Sequence, residues 1–481
     1  MLMKILRISM LLLLATILLV GCSVNGGISP TSSPRANGDE ESADVPVPTE
    51  PSKGNPEEGG DNDADSNGDS DSYTIVADGS FMEVNGVRSN APVLMDGMLP
   101  IIFADEDILT DFTQIPEFWI KADSQAEWYD YSAGVKQWAN AVTEDGSMWV
   151  WIPRFAYRIA SGLHRQEDTK GTIEIQFIDN DNRDSNGQVI STEYPEVSGD
   201  AMLDFVVHPA FSTDLSNGGW DKDISGFWVS KFEMADGVTE NDFSKPGWAT
   251  ARALAIGKAY KLAFNFDRSK ESHMLKNSEW GAIAYLASSA YGSDEDAITR
   301  NITGAAGSGE FEYGLDTLQS TTGTIYGVYD MVGGGGDFTA AYLPAQIVLT
   351  AAAAGSLGGT DTSDMLLFIS STATKPDDST KYITIYDMAE DGPHYEMNSY
   401  LSEQQKFGDS IYETSSGVNA LIVRGFSWAD GTSAFPSDDG PYFFRGGMYS
   451  RSSYTSIFSF EECEGGTTTL EICAYHAALI G

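Results

Sequence analysis

Cationic residues are scarce in this chain of 481 residues: 28 Lys and Arg stand against 71 Asp and Glu, giving a formal net charge of −43. Proteins bind nucleic acids largely through cationic side chains that displace counterions. A surface this acidic repels a polyanion, and no cluster of Lys and Arg interrupts it, so the sequence excludes nucleic acid as a partner. The hydrophobic share of 41% excludes global disorder, because it is ample for a packed core.

The sequence also lacks the short motifs of common enzyme classes. It contains no Gly-x-Ser-x-Gly nucleophile elbow, no His-Glu-x-x-His zinc motif and no phosphate-binding loop. Its few histidines show no metal-ligand spacing, and most are expected to be surface or helix-capping residues. They are His164, His208, His273, His394 and His476. The sequence therefore names no catalytic residue, and any metal ligand stays unknown.

The first residues have the features of a bacterial export signal. Lys4 and Arg7 precede an apolar run, Ile8 to Val20, which is too short for an ordinary membrane span. The run ends in Leu-Val-Gly-Cys22, which resembles the lipobox of bacterial lipoproteins. The resemblance implies a signal peptide over residues 1–22, lipidation of Cys22 and a folded part anchored to a membrane on its extracytoplasmic side. A plain secretory signal is the alternative.

The next segment, residues 23–72, has almost no large apolar side chain and many Ser, Pro, Gly, Asn and Asp. Burial cannot offset its ordering entropy, so it predicts a disordered acidic linker. Within it, residues 63–71 carry Asp, Asn and Gly at nearly the spacing of a calcium loop. Thr74 stands where a bidentate Glu belongs, and no amphipathic helix flanks the stretch. We favour solvated linker, with weak calcium binding as the alternative.

Two cysteines remain once Cys22 carries lipid. Cys463 and Cys473 are close in sequence and bracket Glu-Gly-Gly, a turn signal. In an oxidising compartment this spacing predicts a disulfide across a C-terminal hairpin or loop. Two thiols are the alternative, and acidic neighbours argue against their being reactive.

Short strand-like runs between turn residues dominate the rest of the chain, and no repeat of roughly 20–50 residues indicates a solenoid or propeller. The predicted strands are Tyr73–Val76, Met148–Ile152, Ile173–Ile178, Phe227–Phe232, Tyr382–Tyr386, Ala420–Val423 and Tyr442–Phe444. Helices are predicted over Arg252–Phe264 and Ser278–Ser288, the second capped by Asn277 or Ser278. The pattern predicts a loop-rich α+β fold with few regular helices and short antiparallel strands. Residues 73–143 are expected to form a small N-terminal β-rich unit.

Four segments carry a resemblance when taken in order. They are Gly226–Glu233, with its Lys-Phe-Glu ending, Leu275–Trp280, Gly323–Gly333, with its Tyr-Asp-Met-Val-Gly ending, and Arg445–Tyr449, which reads Arg-Gly-Gly-Met-Tyr. Together they resemble the sulfatase-modifying-factor family, whose best-known member is formylglycine-generating enzyme. The resemblance implies a C-type-lectin-like domain over residues 144–481.

The departures from that family bear on activity. Its oxidase members hold copper with two cysteines shortly after the Arg-Gly-Gly turn, because soft thiolates suit Cu(I). Here residues 450–456 read Ser-Arg-Ser-Ser-Tyr-Thr-Ser, without a thiol. Where the family has a calcium-binding segment, this chain reads Gly-Gly-Gly-Gly-Asp337-Phe, and only Asp337 keeps a carboxylate. We therefore expect no cofactor, with calcium as an open alternative, and we expect binding rather than catalysis.

The surface after the Arg-Gly-Gly turn is the predicted ligand site. In C-type-lectin-like proteins of this branch, including variable proteins diversified by retroelements, ligands bind residues at this place. The corresponding residues here are Tyr449, Ser450, Arg451, Ser452, Ser453, Tyr454 and Thr455. Tyr offers rigid contact area and Ser adaptable hydrogen bonds. An ordinary polar loop is the alternative, and Trp428, Phe435 and Tyr442 would extend either a platform or a core.

These observations together predict a lipid-anchored, extracytoplasmic binding or adhesion protein whose ligand is an extracellular protein or glycan. Two other functions stay open. One is an enzyme of the same superfamily with an altered active site, and the other is a purely structural envelope component.

Overall fold

A computed structural model describes residues 75–103, 119–164, 170–235, 243–250, 254–293, 298–303, 307, 317–343, 381–386, 406–415, 425–436, 440, 442–450, 455–463 and 473–481. All of them belong to one compact unit, residues 71–481. The predicted signal peptide, Cys22, the linker and the calcium-like stretch lie outside the described residues.

The described elements are mostly short strands. The first eleven are β1 (Phe81–Val84), β2 (Val87–Asn90), β3 (Met98–Phe103), β4 (Trp119–Lys121), β5 (Asn140–Thr143), β6 (Met148–Pro153), β7 (Phe155–Ser161), β8 (Thr172–Phe177), β9 (Val197–Ser198), β10 (Ala201–Met202) and β11 (Val206–Val207). The next ten are β12 (Gly226–Ser230), β13 (His273–Met274), β14 (Gly336–Tyr342), β15 (Thr384–Ile385), β16 (Gly425–Ser427), β17 (Gly431–Ser433), β18 (Tyr442–Arg445), β19 (Phe460–Cys463), β20 (Cys473–Ala474) and β21 (Ala477–Leu479). The α-helices are α1 (Gln125–Trp128), α2 (Ile256–Asn265) and α3 (Asn277–Ala287).

The first large sheet is antiparallel, with strand order β13-β21-β12-β6-β5-β3-β4. Its centre is β6, whose Met-Trp-Val-Trp-Ile-Pro sequence is buried at every position. A continuous apolar run of this kind is typical of a strand covered on both faces. Trp151 of β6 lies opposite Trp228 of β12, and their rings are 5.3 Å apart. Because β5 pairs with β6, residues before and after position 143 share this sheet.

The second large sheet is mixed and runs β15-β14-β18-β19-β17-β16, with β20 also paired to β14. All seven residues of β14 are buried. β18 pairs with β14 in antiparallel fashion, whereas β15 and β20 pair with it in parallel. A smaller sheet, β11-β7-β8, and the hairpins β1-β2 and β9-β10 complete the described strands.

The two longer helices occur where the sequence predicts them, but the predicted cap of α3 is wrong. This helix begins at Asn277, so Lys276 is its N-cap. The Glu279 carboxylate accepts a hydrogen bond of 2.9 Å from the Lys276 backbone N–H, which satisfies a donor at the helix start. The Ser278 hydroxyl instead donates to the carbonyl of Gly218 at 2.7 Å. Its side chain therefore makes a tertiary contact and does not cap the helix.

The described part of the chain is mostly β and loop-rich, with three α-helices and several antiparallel or mixed sheets. The predicted strands at β6, β8, β12 and β18 are confirmed, and Tyr382–Tyr386 contains only the two-residue β15. Residues 75 and 76 lie outside any strand, contrary to the prediction, and Ala420–Val423 lies outside the described residues. Among the helices that the structure describes, none has the length and apolarity needed to cross a membrane.

Candidate functional site at the Arg-Gly-Gly turn

The Arg-Gly-Gly turn begins at Arg445, the last residue of β18, and the Arg445 side chain anchors it. The Arg445 side chain is fully buried, and its Nη1 donates to the Asp409 carbonyl at 3.2 Å. Its Nη2 donates to the Ser410 carbonyl at 3.3 Å and to the Ser410 hydroxyl. Burial lowers the pKa of Arg445 to about 10, so the guanidinium stays charged at neutral pH. A buried cation held by hydrogen bonds therefore anchors the turn.

Backbone conformation explains the two glycines of the turn. Gly446 and Gly447 have φ angles of 74° and 77°, in the left-handed region that favours glycine. A Cβ on Gly446 would also lie 2.7 Å from the Met331 carbonyl oxygen. The turn thus needs glycine for its conformation and for a close approach to the neighbouring chain.

The structure places only part of the predicted ligand surface. Tyr449 is half-buried, and its backbone N–H donates to the Gly334 carbonyl at 2.9 Å. Ser450 is exposed and Thr455 is half-buried. The remaining predicted contacts, residues 451–454, lie outside the described residues. Solvent thus reaches the chain at Ser450, and Ser456 is buried.

The three aromatic residues that were candidates for a binding platform belong to the core. Trp428, Phe435 and Tyr442 are all buried. The Trp428 indole donates to the Gly162 carbonyl at 2.9 Å, and Phe435 packs on Phe443 with ring centroids 5.4 Å apart. They stabilise the sheet under the turn and offer no exposed face.

Residues 406–415, here called the bracing segment, supply the carbonyl groups under Arg445 and also carry a buried carboxylate. Glu413 accepts hydrogen bonds from the Tyr157 hydroxyl at 2.7 Å, the Tyr285 hydroxyl at 2.6 Å and the Gly408 N–H at 2.7 Å. Burial raises the pKa of Glu413 to about 7, against the opposing effect of these hydrogen bonds. Glu413 thus connects the bracing segment to β7 and α3.

His208 packs on the two tyrosines that bind this carboxylate, and it is buried and neutral. Its Nδ1 accepts a hydrogen bond of 3.2 Å from the Ala210 N–H, which caps the short 3₁₀ helix Pro209–Phe211 as expected for a capping histidine. Its ring packs against Tyr157 and Tyr285. Burial lowers the pKa of His208 to about 3. No sequence signal pointed to the Glu413 cluster, because its members are far apart along the chain.

Asp337, the carboxylate that matches the calcium segment of the resembled family, binds a histidine. Its Oδ1 lies 2.9 Å from Nδ1 of His476, whose Nε2 is 3.1 Å from the Tyr329 carbonyl. Burial lowers the pKa of His476, but the Asp337 carboxylate outweighs burial and raises it. Within the described ranges, no three His, Cys, Asp or Glu side chains are grouped to hold a metal ion. His476 is thus buried and paired.

The predicted disulfide is not formed. Cys463 and Cys473 are both buried thiols, and no bond joins their sulfurs. The prediction assumed a hairpin that brings them face to face. Instead Cys463 ends β19, which pairs with β18, whereas Cys473 begins β20, which pairs with β14. Burial raises the pKa of Cys473, and the nearby Cys463 raises it further. A reactive thiolate is therefore disfavoured.

The four motif segments of the predicted resemblance contact one another. The Lys231 ammonium donates to the carbonyls of Ile325 and Gly327 at 2.7 and 3.0 Å, which joins the first segment to the third. The Arg445 guanidinium lies 5.5 Å from the Trp280 ring, which joins the fourth to the second. The Gly333 N–H donates to the Gly446 carbonyl at 3.2 Å, so third and fourth also meet.

Neither a scan against protein families nor a search of curated proteins finds a match to this chain. The resemblance to sulfatase-modifying factors therefore depends on the motif segments alone and stays a prediction.

Proposed function

We propose that the protein is a lipid-anchored, extracytoplasmic ligand-binding or adhesion protein that displays residues 449–455 on a non-catalytic C-type-lectin-like scaffold. The lipobox-like sequence before Cys22 and the acidic linker support the location. The mutual contacts of the four motif segments support the scaffold. The ligand is an extracellular protein or glycan.

The observation that carries this proposal is the fixed base of the turn. Arg445 is a buried cation with hydrogen bonds to Asp409 and Ser410, and the chain reaches solvent five residues later at Ser450. A loop with both ends packed loses less conformational freedom on binding than a free segment does. Tyr and Ser between those ends supply contact area and adaptable hydrogen bonds.

The chemistry of the same stretch supports binding over oxidase activity. Where oxidase members of the resembled family hold copper, the described residues are Ser450, Thr455 and Ser456. Neutral hydroxyls are poor ligands for Cu(I), which prefers thiolates. The two C-terminal cysteines are buried on strands of their own. These residues do not fit a copper centre.

Binding of the full chain to whole cells, to a glycan array and to an extracellular-protein array tests this proposal. Arg451→Ala and Tyr454→Ala change the predicted surface, and Lys121→Ala is the matched control because Lys121 is an exposed cation on β4. We expect a specific signal that Lys121→Ala retains and that both loop variants weaken by about tenfold or more, as at central interface residues. A signal unchanged in folded loop variants, or turnover abolished by them, would contradict the proposal.

A further inference from the structure

A cavity of about 500 Å³ lies beside the start of the bracing segment, and its lining includes none of the turn residues. Residues 192–194 and 212–214 form two of its sides, together with Asn182, Asp223 and Phe407. Ligand cavities for small molecules have volumes of this order and combine apolar walls with a few placed polar groups. The wall of this cavity has both.

The apolar part of the wall is a pair of aromatic rings. Tyr194 and Phe407 have ring centroids 5.2 Å apart at an interplanar angle of 46°. Phe407 is 7% exposed. Its backbone N–H donates to the Asn217 side-chain oxygen at 3.3 Å, which holds the backbone of Phe407 in place. Aromatic rings that line a cavity attract a cation through their quadrupoles.

The charged part of the wall is acidic. Glu193, Asp214 and Asp223 line the cavity, and the described lining includes no Lys, Arg or His. Asp214 is held in place, because its carboxylate accepts from the Asn217 backbone N–H at 3.3 Å and from the Asn217 side-chain amide at 2.6 Å. Both donors are neutral, so the charge of Asp214 is not compensated by them.

Two cations adjoin the cavity wall, and both are already engaged. The buried Arg154 guanidinium pairs with Asp223 at 2.9 Å and donates to the Asn182 side-chain oxygen, both on the wall, so it compensates the charge of Asp223. It also donates to the Phe211 and Ile224 carbonyls. The Lys406 ammonium donates to the Ser216 carbonyl and lies 5.3 Å from the Tyr386 ring. Among the ion pairs of the described residues, none involves Glu193 or Asp214.

We propose that this cavity binds a small organic cation, an amine or quaternary ammonium group carried on an apolar body. The carboxylates of Glu193 and Asp214 attract the charge, and the faces of Tyr194 and Phe407 contact the body and the cation. The same carboxylates repel anions. Metal ions are poorer candidates, because among the described residues no three His, Cys, Asp or Glu side chains are grouped to hold one.

Calorimetric titration of the full chain tests this inference, with choline and agmatine as probes. The matched neutral probe is 3,3-dimethylbutan-1-ol, which has the shape of choline without its charge. We expect saturable millimolar or tighter binding of at least one cation and none of the neutral alcohol. Glu193→Gln removes one charge at an exposed position and is expected to weaken binding about tenfold, the size of a partly desolvated cation contact.

Glu196→Gln is the control, because Glu196 is also exposed, lies three residues along the chain and is outside the cavity lining. Phe407→Leu, checked for folding by circular dichroism, should weaken binding of the cation as well. The inference is overturned if neither cation binds, if the alcohol binds equally well, or if the two glutamate variants behave alike. Since Arg451→Ala and Tyr454→Ala should leave cation binding unchanged, failure here is distinguishable from failure of the proposed function.

Discussion

Buried charged side chains in this protein are held by partners that are distant in sequence. Lys231 has no carboxylate partner among the described residues; its ammonium donates to three oxygens, of Asn140, Ile325 and Gly327. Glu413 accepts from two tyrosines that lie 256 and 128 positions away in the chain. Burying a charge is costly unless hydrogen bonds replace water. Such residues therefore join segments, and their protonation is coupled to folding.

The carboxyl group of Glu413 makes stability depend on pH. Burial raises its pKa from 4.5 to about 7, so between these values the folded protein keeps a proton that the unfolded chain has lost. The contribution of Glu413 to the free energy of unfolding therefore falls as pH rises from 4.5 to about 7 and levels off above that range. This contribution amounts to roughly 3 kcal/mol. We expect it to be missing from Glu413→Gln when the free energies of unfolding of the variant and the parent protein are compared by urea unfolding at several pH values.

Two comparisons make that experiment decisive. Asp330, whose pKa burial raises to about 6, adds a decline, and His208, whose pKa burial lowers to about 3, adds a rise. Both are retained in Glu413→Gln, so the difference between the two proteins reports Glu413. The exposed Glu196→Gln variant should keep the full slope of the parent protein. Equal slopes in the parent and Glu413→Gln would show that Glu413 titrates as it does in the unfolded chain.

The two C-terminal cysteines should behave as protected thiols. Both are buried, and burial raises the pKa of Cys473, so a maleimide should label neither in the native protein. In denaturant without reductant, peptide mass spectrometry should find label on both. A peptide in which Cys463 is joined to Cys473, seen before reduction and lost after it, would contradict the structure.

At the scale of elements, tertiary packing explains a glycine in α3 that intrinsic helix propensity disfavours. α3 contains Gly281, a residue that costs about 1 kcal/mol relative to Ala inside a helix. The helix packs so closely on the bracing segment that a Cβ at Gly281 would lie 1.9 Å from the Gly408 carbonyl oxygen. Glycine is therefore needed at this contact, although the helix alone would favour alanine.

Gly281→Ala is expected to lower stability by about 1–3 kcal/mol, because backbone must move apart to admit the methyl group. Urea unfolding measures this change. Gly134→Ala is the matched control: nothing lies within 4 Å of its Cβ position, so its effect should stay within about 0.5 kcal/mol. Stabilisation by Gly281→Ala would mean that helix propensity outweighs the contact.

The elements also show which sequence patterns were sufficient. β6 was predictable because a continuous apolar run bounded by turn residues allows few other structures. The pairing of β20 with β14 was not, because two residues carry no pattern and their partner lies well over 100 positions away. The expected disulfide failed for the same reason: spacing indicates a local hairpin, whereas the ladder partners of each cysteine are non-local.

At the scale of the whole molecule, the net charge of −43 opposes compaction through self-repulsion. Salt screens repulsion between exposed charges, with a Debye length of about 10 Å at 0.1 M. We expect the melting temperature in about 0.5 M NaCl to exceed that in about 0.01 M NaCl by 2 °C or more, measured by differential scanning calorimetry. Sucrose of equal osmolality controls for solvent effects, and a melting temperature that falls with salt would show that attractive ion pairs outweigh the repulsion.

The sequence predicted an α+β class, whereas the described part is mostly β, and it missed the two longest described strands, β7 and β14. By itself the sequence determined the charge balance, the signal-like start, the linker composition, the positions of four strands and of the two longer helices, and the loop-rich character. Each of these depends on composition or on short-range periodicity, which a chain carries wherever it folds. Only the tertiary structure decided that Trp428 and Tyr442 are core, that Glu413 meets two tyrosines, and that Tyr194 and Phe407 wall a cavity. Those facts depend on which distant segments pair, and residue spacing along the chain does not encode that directly.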